Sequence, residues 1–130
     1  MERWLGKYSE FVYLFVRMVI GVLFACHGVQ KLFSAFGGIG APLTPLTTTG
    51  GAIELVAGIF VALGLWAGSA AFLASGEMAV AYFMMHSPHG FWPIVNRGEP
   101  AVLYCFIFLY IASRGSGRLS IDALTQKRRV

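Results

Sequence analysis

Four apolar segments, each carrying ionisable side chains sorted by sign, constrain this chain more than any other feature. The first segment holds the bases Arg17, His27 and Lys31, and the next three hold one acid each: Glu54, Glu77 and Glu99. A charge at membrane depth costs about 2.5–3.5 kcal/mol on insertion scales, so it is kept where it has a partner or a task. A polar site inside a membrane bundle explains the pattern with the fewest assumptions. Only 12% of the residues are charged and 57% are hydrophobic, against about 25% charged in soluble domains. The expected fold is therefore an all-α, integral membrane four-helix bundle of up-and-down topology, a single domain over residues 1–130.

The predicted helices run over about 11–33, 51–66, 67–86 and 99–113, near the roughly 17–25 residues that span a bilayer. Hydrocarbon satisfies no backbone polar group, so helices are required, and the alternation of a membrane strand is absent. A Gly-, Pro- and Thr-rich stretch over 34–50 reads as an ordered loop or re-entrant segment, 65–69 as a tight turn, and 86–98 as a loop. Arg3 and Lys7 precede the first segment, and Arg114, Arg118, Lys127, Arg128 and Arg129 form a basic tail over 114–130. By the positive-inside rule both termini are cytoplasmic, in a cell inner (plasma) membrane crossed several times. These basic flanks, within a net charge of +4, suit a lipid surface and not nucleic acid. The start is not read as a signal peptide: Arg17 interrupts the run and no small-x-small cleavage site follows.

An α-helix turns about 100° per residue, which places His27 about 80° and Lys31 about 40° from Arg17 on one side. Gly21 and Gly28 share this stripe and allow close approach of a neighbour. Depth sorts the partners. His27, Lys31, Glu54 and Glu99 meet in an outward-opening pocket with His86 and Asn96 at its mouth, while Arg17 and Glu77 form a deep ion pair or proton relay. The same ion pairs can simply fix helix order. Imidazole beside carboxylates suits proton transfer, and a lysine can hold a quinone carbonyl, a lipid head or an anion. His27, His86 and His89, near Met84 and Met85, raise a copper or haem question, although Pro88 breaks the helix between them. Cys26 and Cys105 show no zinc or CxxC spacing; packing is the bland reading and a redox pair the sharp one. The tryptophans fit interface anchoring.

Arg17 with Gly21 and HGVQKLF (27–33), GGAIELVAGIFVALGL (50–65), EMAVAYFMMHSPHGFWP (77–93), NRGEPAVLY (96–104) and GSGRLSID (115–122), in this order, resemble the DoxX family. The resemblance covers nearly the whole chain after the first ten residues. It implies four-helix membrane proteins, some associated with thiosulfate:quinone oxidoreduction and others with oxidative-stress complexes or quinone and catechol handling. The family-like polar positions are Arg17, His27, Lys31, Glu54, Glu77, His86, Asn96, Glu99 and Asp122. No flavin, nicotinamide or iron–sulfur motif is present, so an oxidoreductase role needs a partner subunit, a soluble redox enzyme or a bound quinone. The leading expectation is a redox-associated membrane subunit that binds a quinone or similar small polar-headed molecule. The alternatives are a non-enzymatic adaptor recruiting a soluble enzyme through the basic tail, and a small-molecule transporter or exporter, which at four helices calls for a homo-oligomer.

Overall fold

The computed structural model describes residues 1–128, so the terminal Arg129 and Val130 of the basic tail lie outside the described residues. Among the described residues all regular structure is helical. Short α1 (Glu2–Leu5) and a 3-10 turn lead into α2 (Ser9–Phe33), which ends where Ser34 turns left-handed at φ 55. α3 (Pro45–Leu63) starts well before the expected 51. Thr44 and Thr47 form a reciprocal capping box and Pro45 occupies the first turn, where its missing N–H costs nothing. It stops at Leu63, short of 66, because Gly64 (φ +69) and Trp66 (φ 46) are both left-handed.

α4 (Ala67–Ala81) continues as a π turn over Tyr82–His86 and a 3-10 turn over Ser87–His89, where Pro88 ends it. α5 (Pro93–Asn96) interrupts the expected loop, and α6 (Glu99–Arg114) falls where the sequence placed it. The basic tail holds a further helix, α7 (Ile121–Lys127), capped by the Ser120 hydroxyl on the Ala123 N–H.

α2, α3, α4 and α6 pack in sequence order as an up-and-down bundle. α2 and α3 touch backbone to backbone: a Cβ on Gly21 would lie 2.5 Å from the Gly58 carbonyl oxygen, and one on Gly28 2.5 Å from the Leu55 nitrogen. α4 brings fully buried Ala67, Ala71 and Ala74 to the interior, and its Ser75 hydroxyl donates to the Cys105 carbonyl of α6 at 2.8 Å. Phe24 of α2 meets Phe108 of α6 with ring centroids 4.6 Å apart, closing the circle. Large apolar side chains such as Phe15, Phe72, Leu103 and Phe106 face outward. Small residues inside and bulky apolar ones outside is the inverse of a water-facing surface and suits lipid. The helical stretch Glu2–Phe33 and α3 are long and apolar enough to cross a membrane, while α4 and α6, at 15 and 16 residues, are shorter.

Candidate ligand site

Lys31 stands in the last turn of α2 and Glu54 faces it from α3, with Nζ donating to Oε1 at 2.7 Å. Glu54 is 3% exposed. Its other oxygen, Oε2, is buried with no hydrogen-bond partner, and so is Oε2 of Glu77. Glu77 reaches the same space from α4. A methyl group added to Gly50 would lie 3.0 Å from Glu77 Oε1 and 4.0 Å from Lys31 Nζ. The bare glycine is what lets the Glu77 carboxylate lie against α3, beside the Lys31 head group. Tyr104 is the titratable side chain that α6 turns toward Glu54 and Cys26.

The expected deep pair of Arg17 with Glu77 does not form. α4 starts beside the end of the bundle that carries the termini, and Glu77 is ten residues along it, about 15 Å at 1.5 Å per residue. That puts Glu77 level with Lys31. Arg17, 1% exposed, instead holds the segment after α6. Its Nη2 donates to the Leu119 carbonyl at 2.7 Å and its Nη1 to the Ser116 carbonyl. Gly64 makes this fit, since a Cβ there would stand 2.8 Å from Arg17 Cζ. Asp122 completes the clasp, accepting from the Ser116 hydroxyl at 2.5 Å and from the Trp66 N–H at 2.8 Å. Beside it, Tyr13 donates to the Gly115 carbonyl at 2.5 Å, and Glu10 pairs with Arg114 at 2.7 Å.

The other expected pocket members separate from Lys31 and Glu54. His27 is exposed on α2 and meets Tyr104 edge-on, with centroids 6.0 Å apart. Glu99 is exposed at the start of α6 and makes no ion pair among the described residues. His86 and Asn96 belong to a second polar cluster that shapes the 86–98 loop. Asn96 donates to the Gly90 carbonyl at 2.6 Å and to the Tyr82 hydroxyl at 3.2 Å, and accepts from the Gly98 N–H at 2.8 Å. Tyr82 in turn donates to the Phe91 carbonyl, and His86 Nδ1 lies 3.1 Å from the Asn96 carbonyl.

Among the described residues no three His, Cys, Asp or Glu side chains gather to hold a metal ion, so His27, His86 and His89 do not converge. Cys26 and Cys105 are free thiols. Two surface clefts lie elsewhere, one at Phe72, Phe106 and Leu109, the other at Ser9, Val12 and Arg114; neither reaches Lys31, Glu54 or Glu77. Sequence reasoning passed over Gly50, Tyr82 and Tyr104. The signal for Gly50 was its place one turn before Glu54, on the same face; the tyrosines had none among so many aromatics.

The DoxX family model matches residues 12–87. The chain belongs to the DoxX family. A Haemophilus influenzae protein described as uncharacterized is 40% identical over 125 residues, covering 91% of this chain and 93% of the relative. No solved structure matches. Family and outward-facing apolar helices together make this DoxX chain a membrane protein.

Proposed function

We propose that this protein is a redox-associated subunit, crossing the plasma membrane several times with both termini cytoplasmic, that binds a quinone or similar small polar-headed molecule. Lys31 and Glu54 hold the head group at the outward end, with Glu77 beside them in place of Glu99. His27 and Glu99, exposed on α2 and α6, stand outside the head-group contacts, and His86 and Asn96 shape the neighbouring loop. The observation that supports this reading is the half-buried Lys31–Glu54 pair at 2.7 Å, with one oxygen of the buried carboxylate left over. A buried ion pair needed only for helix order gains nothing from an unsatisfied lone pair, which costs about 1–3 kcal/mol. Lys31 retains ammonium protons for a carbonyl oxygen, since one of its three donors is used. Redox chemistry would come from a bound quinone together with a partner enzyme.

The test is binding of a short-tailed ubiquinone analogue to the purified protein in mild detergent. Lys31→Met should weaken binding of the quinone by about tenfold or more, the scale of one lost charge-assisted hydrogen bond to its carbonyl. Glu54→Gln should weaken binding of the reduced quinol, whose hydroxyl can donate to the carboxylate, while circular dichroism shows an intact bundle. Unchanged affinity in both variants sinks the assignment. The adaptor reading draws on α7, whose basic end is exposed. Cutting the chain after Arg118 would also remove Asp122 from the clasp, so charge reversal at Lys127 and Arg128 is the cleaner probe: lost partner recruitment with intact quinone binding favours the adaptor.

A further inference from the structure

The polar centre is out of charge balance. One lysine faces two glutamates, each with a buried, unpartnered Oε2. Both vacant valences are acceptors, so whatever completes the centre must donate hydrogen bonds. In a lipid-surrounded bundle it must also bring positive charge, because an uncompensated buried carboxylate is among the costliest things a fold can hold. Gly50 lets the second carboxylate come up to α3, as a Cβ there would lie 3.0 Å from Glu77 Oε1. Glu54 already shows which donor it takes at close range: the primary ammonium of Lys31, at 2.7 Å.

From this we propose that Glu54 and Glu77 form a binding site for a monovalent organic ammonium, with an apolar body that lies between the helices. Two N–H donors of one ammonium satisfy both Oε2 atoms, and its charge balances the second glutamate. A divalent metal fits poorly, as Lys31 occupies one side and the donor set is small. The groups facing the centre are Lys31 from α2, Glu54 from α3 and Glu77 from α4, while Tyr104 from α6 packs against Phe24 and edge-on to His27. Without the ammonium, a proton from water supplies the missing charge. Entry of the ammonium returns that proton to solvent, so binding and proton release are coupled one to one. The inference uses the polar centre of the preceding section but not its ligand.

The experiment is calorimetric titration of the full-length protein in mild detergent with 2-phenylethylammonium, and with 2-phenylethanol as its uncharged counterpart, in two buffers of different protonation enthalpy. The ammonium should bind at least about tenfold tighter than the alcohol, as expected for a charge-assisted pair over a neutral one. The buffer dependence should report release of close to one proton. Glu54→Gln and Glu77→Gln, which keep shape and remove charge, should each abolish that preference, with size-exclusion elution unchanged. Lys31→Met should tighten the ammonium while weakening the quinone analogue, so the two ligand readings fail separately. Equal affinity for ammonium and alcohol, no binding of either, binding without proton release, or full affinity in Glu77→Gln overturns the proposal.

Discussion

The two ends of the bundle each bury charge, and they treat it oppositely. At the end that carries the termini, Arg17 gives both terminal nitrogens to the Ser116 and Leu119 carbonyls and leaves its buried Nε without a partner, and Asp122 is met by Ser116 and the Trp66 N–H. At the other end, Lys31 meets Glu54, yet two carboxylate oxygens stay without partners. A charge bonded to two separate carbonyls is part of the architecture, because removing it unmakes bonds within the chain. A charge with valences left over has capacity for something outside the chain. Stability should therefore reside in the Arg17 end, and binding in the Lys31 end.

The sharpest way to break this contrast is Arg17→Ala. Two part-buried carbonyls lose a charged donor, each bond worth about 1.5–3 kcal/mol, and the Arg17 side chain that makes both bonds is 1% exposed. We expect a loss of about 3 kcal/mol or more in detergent unfolding, with ligand affinity per folded molecule unchanged. A loss below about 0.5 kcal/mol would erase the distinction between the ends, since surface substitutions do as much.

Alanine at two glycines of α3 sharpens it. In Gly58→Ala the new Cβ meets the Ala25 nitrogen and the Gly21 carbonyl at 2.6 Å, and backbone cannot step aside. Overpacking of this kind costs about 1–3 kcal/mol, read as a lower melting temperature. In Gly50→Ala the nearest atom is the tip of the Glu77 side chain at 3.0 Å. The tip can swing, so the melting temperature should hold while ligand affinity falls. Equal thermal losses in both variants would contradict the reading of Gly50 as the seat of the Glu77 carboxylate.

Glu54→Gln should do still less to the fold. It removes one charge from a centre holding two acids against one base, so the cost of losing the Lys31 pair is offset by relief of the surplus. Removing one partner of a buried pair is costly where the other charge is left alone, but here Glu77 remains beside Lys31, so the net change should stay within the roughly 1 kcal/mol typical of point substitutions. The matched comparison with Arg17→Ala is a guanidinium chloride titration of both variants.

Helix count, the α2 glycine stripe and the pairing of Lys31 with Glu54 were legible in the sequence because periodicity fixes which residues share a face. Depth was harder. Arg17 and Glu77 each sit mid-segment, which suggested a pair, but their level depends on where the neighbouring helix begins, and Gly64 and Trp66 set that start. The early start of α3 was written in Thr44, Pro45 and Thr47 and was hidden by the surrounding glycines. The clasp rests on backbone carbonyls at Ser116 and Leu119, which no side-chain pattern announces. His27 and Glu99 fell outside the polar centre for the same reason: sharing a level is not sharing a face.

The smallest effect belongs to the rim of the closed end. Glu10 lies just before the apolar run that begins at Phe11. The Arg118 N–H, first, and the Arg114 guanidinium, second, hold its carboxyl below the usual carboxylate range. A lowered acid stabilises the fold only while it is ionised. Its contribution is present at neutral pH and is lost as pH falls through the depressed value, when the folded form too takes up the proton. Glu10→Gln should thus lower the melting temperature slightly at pH 7, and the gap from the unmodified protein should close on acidification. Salt should close it as well, because the pair is solvent-facing and screened within about 10 Å at 0.1 M ionic strength. The Arg17 contribution, buried and held by carbonyls that do not titrate, should persist through the same pH and salt series. A Glu10→Gln gap that survives acid would place Glu10 with Arg17 as a packed part of the closed end.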